Sequence, residues 1–185
     1  MPEHLPPPTN EPAENHVFIS YSSNDRPFVE TLANDLTHHG YAVWVDNAGT
    51  DERIHAGEAW QQSLANAVNQ AAVLLLILSP DSAKSAWVQA EIRRAGESEK
   101  TILPAMLRPV SDEERAELDT IPVGDSRTFR DLHYLNFHGK SYKTEFDKLL
   151  GDLKHHIDTI STGVLAYCQD VIDRLSQATG IGDHY

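Results

Sequence analysis

From His16 onward, short apolar runs alternate with stretches whose apolar residues recur every three or four positions. "HVFISYS" reads as a strand that ends in the polar cluster "SSNDR". Phe28, Leu32, Leu36 and Thr37 then follow helical spacing up to Gly40, placed as a helix-ending C′ glycine after His38 and His39. "YAVWVD" (41–46) is a second strand and "NAGTDERIHAGEA" a long polar loop. Trp60, Leu64, Ala67, Val68 and Ala71 mark a second helix. "AVLLLILS" (72–79) is apolar at almost every position, as expected of a strand covered on both faces. A helix follows to about Glu99, then "TILPAML" (101–107), a fourth strand weakened by Pro104. Residues 108–131 read as a loop with one helical turn around "DEERAEL", and "HYLNF" (133–137) as a weaker fifth strand. Phe146, Leu149, Leu150, Leu153 and Ile157 give a clear amphipathic helix.

Strands alternating with helices of this length imply βαβ units, hence an α/β fold with a parallel sheet and helices on both faces. Five strands joined by right-handed crossovers fit the flavodoxin-like order 2-1-3-4-5. That order reverses direction between the first and third strands, so ligands are expected at the loops after "FISYS" and "LLLILS". Residues 16–158 form this domain. Residues 1–15 read as a disordered leader rich in Pro and Glu. Residues 159–185 hold a further amphipathic helix and a polar tail, suited to covering the domain, self-association or joining another module.

The loop after the third strand leads into "SAWVQAEI" (85–92), which carries an anomaly. At about 100° per residue with Trp87 at 0°, Val88 falls near 100°, Ile92 near 140°, Ala95 near 80° and Glu91 near 40°. A carboxylate thus lies inside an apolar stripe, where it should be paired, titrated or used.

Composition narrows the choices. The 185 residues carry a net charge of −13, which argues against a nucleic-acid-binding surface. A single cysteine, Cys168, excludes an internal disulfide and a Cys-based zinc cluster, and no metal site is expected. No secretory signal is visible, and the longest apolar run (71–78) is too short to span a bilayer, so a cytoplasmic protein without membrane contact is the expectation. Neither a dinucleotide-binding glycine fingerprint, a P-loop nor a nucleophile elbow appears. The neighbouring pairs His38–His39 and His155–His156 diverge on a helix and suit its C-terminus better than a metal.

Three motifs then combine. "VFISYSSND" resembles box 1 of Toll/interleukin-1 receptor (TIR) domains. Ile54-x-x-Gly57-x-x-Trp60 is similar to the passage from the BB loop into the second helix. Ser79-x-x-Ser82-x-x-Ser85-x-Trp87-x-x-x-Glu91 is similar to the signature between third strand and following helix. The resemblance spans roughly 16 to 157, in the correct order, and points toward stand-alone or N-terminal prokaryotic-type members that consume NAD⁺. It implies a TIR fold and, for Glu91, the position of the catalytic glutamate that cleaves the nicotinamide–ribose bond. It further implies a nucleotide cleft lined by Phe18, Ser20, Tyr21, Ser22 and Asp46, with Trp60 and Trp87 framing it. NAD⁺ is then substrate, no separate cofactor is needed, and self-association involves the BB loop (47–59). A non-catalytic scaffold that binds other TIR domains is the alternative implied by the same resemblance. The chain departs from family habit at Val88, where many members have Cys, and in "SSNDR", where Arg26 is the one arginine available to phosphates.

Overall fold

A computed structural model describes residues 15–45, 65–124 and 126–158. The leader, the loop expected at 47–59 with Asp46 and Trp60 beside it, and the helix expected after 159 lie outside the described residues.

The described chain forms a five-stranded parallel sheet in the order β2-β1-β3-β4-β5. The strands are β1 (Val17–Ser20), β2 (Val43–Val45), β3 (Val73–Leu78), β4 (Thr101–Met106) and β5 (Leu135–Asn136). The helices are α1 (Arg26–His38), α2 (described over 65–70), α3 (Pro80–Lys84), α4 (Ala86–Glu97), α5 (Asp112–Arg115) and α6 (142–158). Both the parallel sheet and the strand order agree with the alternation in the sequence.

The uniformly apolar third strand serves two cores at once. Leu74, Leu76 and Leu78 face one cluster with Phe18, Ala67, Val68, Val88, Ile92 and Ala95, beneath α2 and α4. Val73, Leu75 and Ile77 face the other with Ile19, Leu32, Leu36, Phe146, Leu149 and Leu153, beneath α1 and α6. All six β3 side chains are buried, and burying a Leu or Ile in this way stabilises by about 1.5–3 kcal/mol. Because successive side chains point to opposite faces, a strand covered on both sides shows no alternation.

Local signals explain the element ends. Gly40 adopts φ +87°, and its N–H donates to the Thr37 carbonyl at 3.0 Å; only a residue without Cβ takes this geometry readily. His38 and His39 each place Nδ1 against a carbonyl one turn back, at 2.7 and 2.8 Å, so they act at a helix end. Pro104 sits in mid-β4 opposite Leu76, and β5 pairs with β4 only beyond it, at Ala105 and Met106. The fifth strand is thereby reduced to two residues, shorter than the five expected at 133–137, since proline cannot donate to a ladder. Residues 108–131 hold more structure than one turn: α5 and two 3₁₀ turns, Leu118–Thr120 and Phe129–Asp131.

An ion network ties α6 to β5. Glu145 is buried, accepts from Lys148 Nζ at 2.7 Å and from the Asn136 N–H at 3.1 Å, and has Lys140 at 3.9 Å. The Lys148 bond, then the Asn136 N–H, hold its carboxyl below the ordinary 4.5. A depressed folded-state pKa adds stability above about pH 4.5 that is lost as pH falls through the depressed value. Glu145→Gln is therefore expected to flatten the fall in melting temperature below pH 4.5. Parallel curves for variant and parent would contradict this.

Candidate functional site

The strand order reverses at β1, between β2 and β3, and in folds of this kind ligands bind beyond the carboxyl ends of the strands at such a switch point. Ser20 is the last residue of β1, paired with Leu76 of β3. α4 starts beyond this edge and packs on one face of the sheet through Val88, Ile92 and Ala95. Its start is set by Ser85, whose side chain accepts from the Val88 N–H, which satisfies one of the free amides of a helix N-terminus. α4 is anchored along its flank by Gln89, which donates to the Ala83 carbonyl at 3.2 Å and to Glu117 at 2.9 Å.

Glu91 lies two residues after Gln89, between Val88 and Ile92 in sequence, which have no exposed surface. It is itself only 3% exposed. Ser20 Oγ donates to Glu91 Oε2 at 2.5 Å. The carboxylate in the apolar stripe is therefore directed at the carboxyl edge of a central strand. Trp87, expected on the same face, is 36% exposed. The solvent boundary passes between the two: Glu91 belongs to the interior and Trp87 to the rim.

Alternation along β1 divides the remaining expected lining. Phe18 shares the face of Ser20, but it is fully buried and stacks on Trp44 with centroids 4.9 Å apart. Tyr21 packs against the opposite cluster, beneath α1 and α6. Ser22 is half-buried at the start of the turn Ser23–Asp25, where its carbonyl accepts from the Asp25 N–H. The structure thus brings together Ser20 and Glu91, with Trp87 one turn away, and sends Tyr21 to the other side of the sheet.

A charged network beside this edge escaped the sequence reading. Asp25 is buried, accepts from Ser79 Oγ at 2.5 Å and from Arg108 Nη2 at 2.7 Å. The same Arg108 nitrogen also bonds Asp81. That bond is the main cause holding Asp81 below its usual range, and it raises Arg108 in return. Ser79 meanwhile caps α3 through a reciprocal pair with Ser82, which satisfies free amides at the helix start. Arg108 thereby ties the turn after β1, the turn after β3 and the end of β4 to one another. A buried carboxylate needs such partners. A basic residue directly after a strand, facing acids after two others, is the signal that marks the network, although no local spacing reveals it. Arg26, the first residue of α1, has its Nη2 buried with no hydrogen-bond partner among the described residues.

The family described as TIR domain matches residues 17–150. No curated protein matches the chain. Three solved structures share the fold. The TIR domains of the activated Roq1 resistosome directly recognizing the pathogen effector XopQ are 18% identical over 76% of this chain and 99% of that one, with a TM-score of 0.56. The TIR domain of the Toll-related receptor TRR-2 from Hydra magnipapillata is 19% identical over 75% and 97%, with a TM-score of 0.55. The RPS4 and RRS1 TIR domain heterodimer gives 18% identity over 77% and 98%, with a TM-score of 0.53. Among the described residues, no helix is long and apolar enough to cross a membrane. The match over most of the chain, together with this sheet order, establishes that the protein belongs to the TIR domain family.

Proposed function

We propose that this TIR domain hydrolyses NAD⁺ at the nicotinamide–ribose bond, with Glu91 as its catalytic carboxylate. The observation that supports this reading is a buried glutamate at the β1/β3 switch point, bonded to Ser20 at the carboxyl end of the sheet. Nicotinamide departs as a neutral molecule, so no second acid is needed to protonate it, in contrast to ordinary glycoside hydrolysis. The demand on the protein is to stabilise positive charge developing on the ribose and to hold its hydroxyls. A fixed anion in a water-poor site meets both. Water then adds at the anomeric carbon and releases a proton to solvent, giving ADP-ribose; internal attack by adenine gives the cyclic product instead.

Trp87 at the rim offers an aromatic wall beside the reacting centre, and Arg26 a guanidinium for the pyrophosphate. Phe18, stacked on Trp44, supports the floor of the crevice from below. The resemblance assigns Asp46 and Trp60 to the same cleft. A defence or stress-signalling role follows from consuming a central metabolite on demand. Incubating the purified protein with NAD⁺ beside Glu91→Gln, and resolving nicotinamide, ADP-ribose and cyclic product, tests the assignment directly.

An interaction scaffold is the second reading. It is favoured by the assembled state named for two matched structures, a resistosome and a heterodimer. The two readings combine if self-association through 47–59 completes the site. In that case specific activity rises with protein concentration, so the rate climbs more steeply than linearly. Strict proportionality over the whole range would argue against it.

A further inference from the structure

Ser20 was expected to line the crevice as a substrate contact, but its hydroxyl is committed elsewhere. It is 1% exposed and donates to Glu91 Oε2 at 2.5 Å. The two residues are 71 positions apart, one ending a central strand and the other on a helix packed on the face of the sheet. β1 is a constrained platform: it is hydrogen-bonded to β2 on one side and β3 on the other. A glutamate, by contrast, has three rotatable side-chain bonds and would otherwise sample several directions.

We propose that Ser20 is a positioning residue that keeps the Glu91 carboxylate ionised and aimed, and is not a ligand of the nucleotide. The inference rests on the catalytic reading of Glu91 for its consequence but not for its physics. Burial of Glu91 disfavours a charged carboxylate, and a neutral carboxyl gives little stabilisation to a cationic ribose. A donated hydroxyl acts in the opposite direction, because it binds the charged form.

Among the described residues, several ionisable groups on elements near α4 are engaged with named partners. Asp81 and Asp25 are held by Arg108, Glu117 by Gln89, and Asp119 by Arg115 and Arg130. On α4 itself, Arg93 reaches Gln89, while Arg94 and Glu97 are exposed. β1 and β3 present Phe18, Leu74, Leu76 and Leu78 to this side. Among the described residues, the Ser20 hydroxyl is a polar group that the sheet supplies to Glu91.

The test compares the full chain with Ser20→Ala and Ser20→Thr, using nicotinamide release as a function of pH and a ¹³C-carboxyl titration of Glu91. Ser20→Ala is expected to move the acid limb of kcat/KM upward by about one pH unit, the scale of one hydrogen bond to a charged group. It should lower kcat roughly tenfold with little change in KM. Ser20→Thr keeps the hydroxyl and should return the limb toward its original position. A raised KM with an unmoved acid limb would overturn the proposal, since it makes Ser20 a substrate contact. If the parent releases no nicotinamide at all, the catalytic reading fails, and the carboxyl titration still decides this inference. A Glu91 midpoint that is higher in Ser20→Ala supports it, and an unchanged midpoint rejects it.

Discussion

Glu91→Gln is expected to lower nicotinamide release by about a thousandfold while leaving the melting temperature almost unchanged. Glutamine has nearly the same volume, so the packing of this buried position persists, and its amide oxygen still accepts from Ser20. What disappears is the negative charge. Removing one preorganised electrostatic group of this kind costs about 2.7–4 kcal/mol of transition-state stabilisation, or a hundred- to thousandfold in kcat. The loss should be at the upper end because the group is 3% exposed, and little water is available to substitute for it. Glu91→Ala adds a small cavity and should lose stability as well as activity. Equal nicotinamide release by parent and Glu91→Gln, at high protein concentration, would remove the catalytic claim and leave the scaffold reading.

Gly96→Ala is expected to destabilise the domain by about 2–3 kcal/mol, a fall in melting temperature of roughly 5–10 °C. A Cβ on residue 96 would stand 2.3 Å from the Pro122 carbonyl oxygen and 3.3 Å from Val123 Cα. The obstacle is backbone and is itself fixed. The Ile121 carbonyl accepts from Phe129 N–H, the Val123 N–H donates to Arg127, and Ile121, Val123 and Phe129 close the core under α4. Alanine favours a helix over glycine by about 1 kcal/mol, too little to offset a collision at that distance. Because α4 also carries Glu91, its displacement should lower activity in step. Gly151 provides the control: it lies in α6, and a Cβ there would meet nothing within 4 Å, so Gly151→Ala should stabilise by about 0.5–1 kcal/mol. Thermal melts of the two variants should move in opposite directions. A Gly96→Ala melt at or above the parent's would contradict the close approach.

These two glycines look alike in the sequence, each a lone glycine in a helical stretch, and only the neighbouring chain separates them. The same division holds at the site. The position of Glu91 in an apolar stripe was legible because helical periodicity is a local property. Its neighbour Trp87 could not be placed, since an angle of about 40° says which side chains are adjacent but not where solvent begins. The separation of Tyr21 from Ser20 was implicit in strand alternation, yet a box 1 motif read as one unit obscured it. The partners of Asp25 were not legible at all, because Arg108 lies 83 positions away.

Periodicity, segment length and the handedness of crossovers are enough to set the α/β class, the strand order and the double burial of β3. They also mark one carboxylate as misplaced. What that carboxylate meets, which aromatic stands at the rim, and how Arg108 joins three turns emerge only once the chain has folded. Such contacts are made by residues distant in the chain and close only after the sheet has assembled, and no local pattern encodes a distance between them.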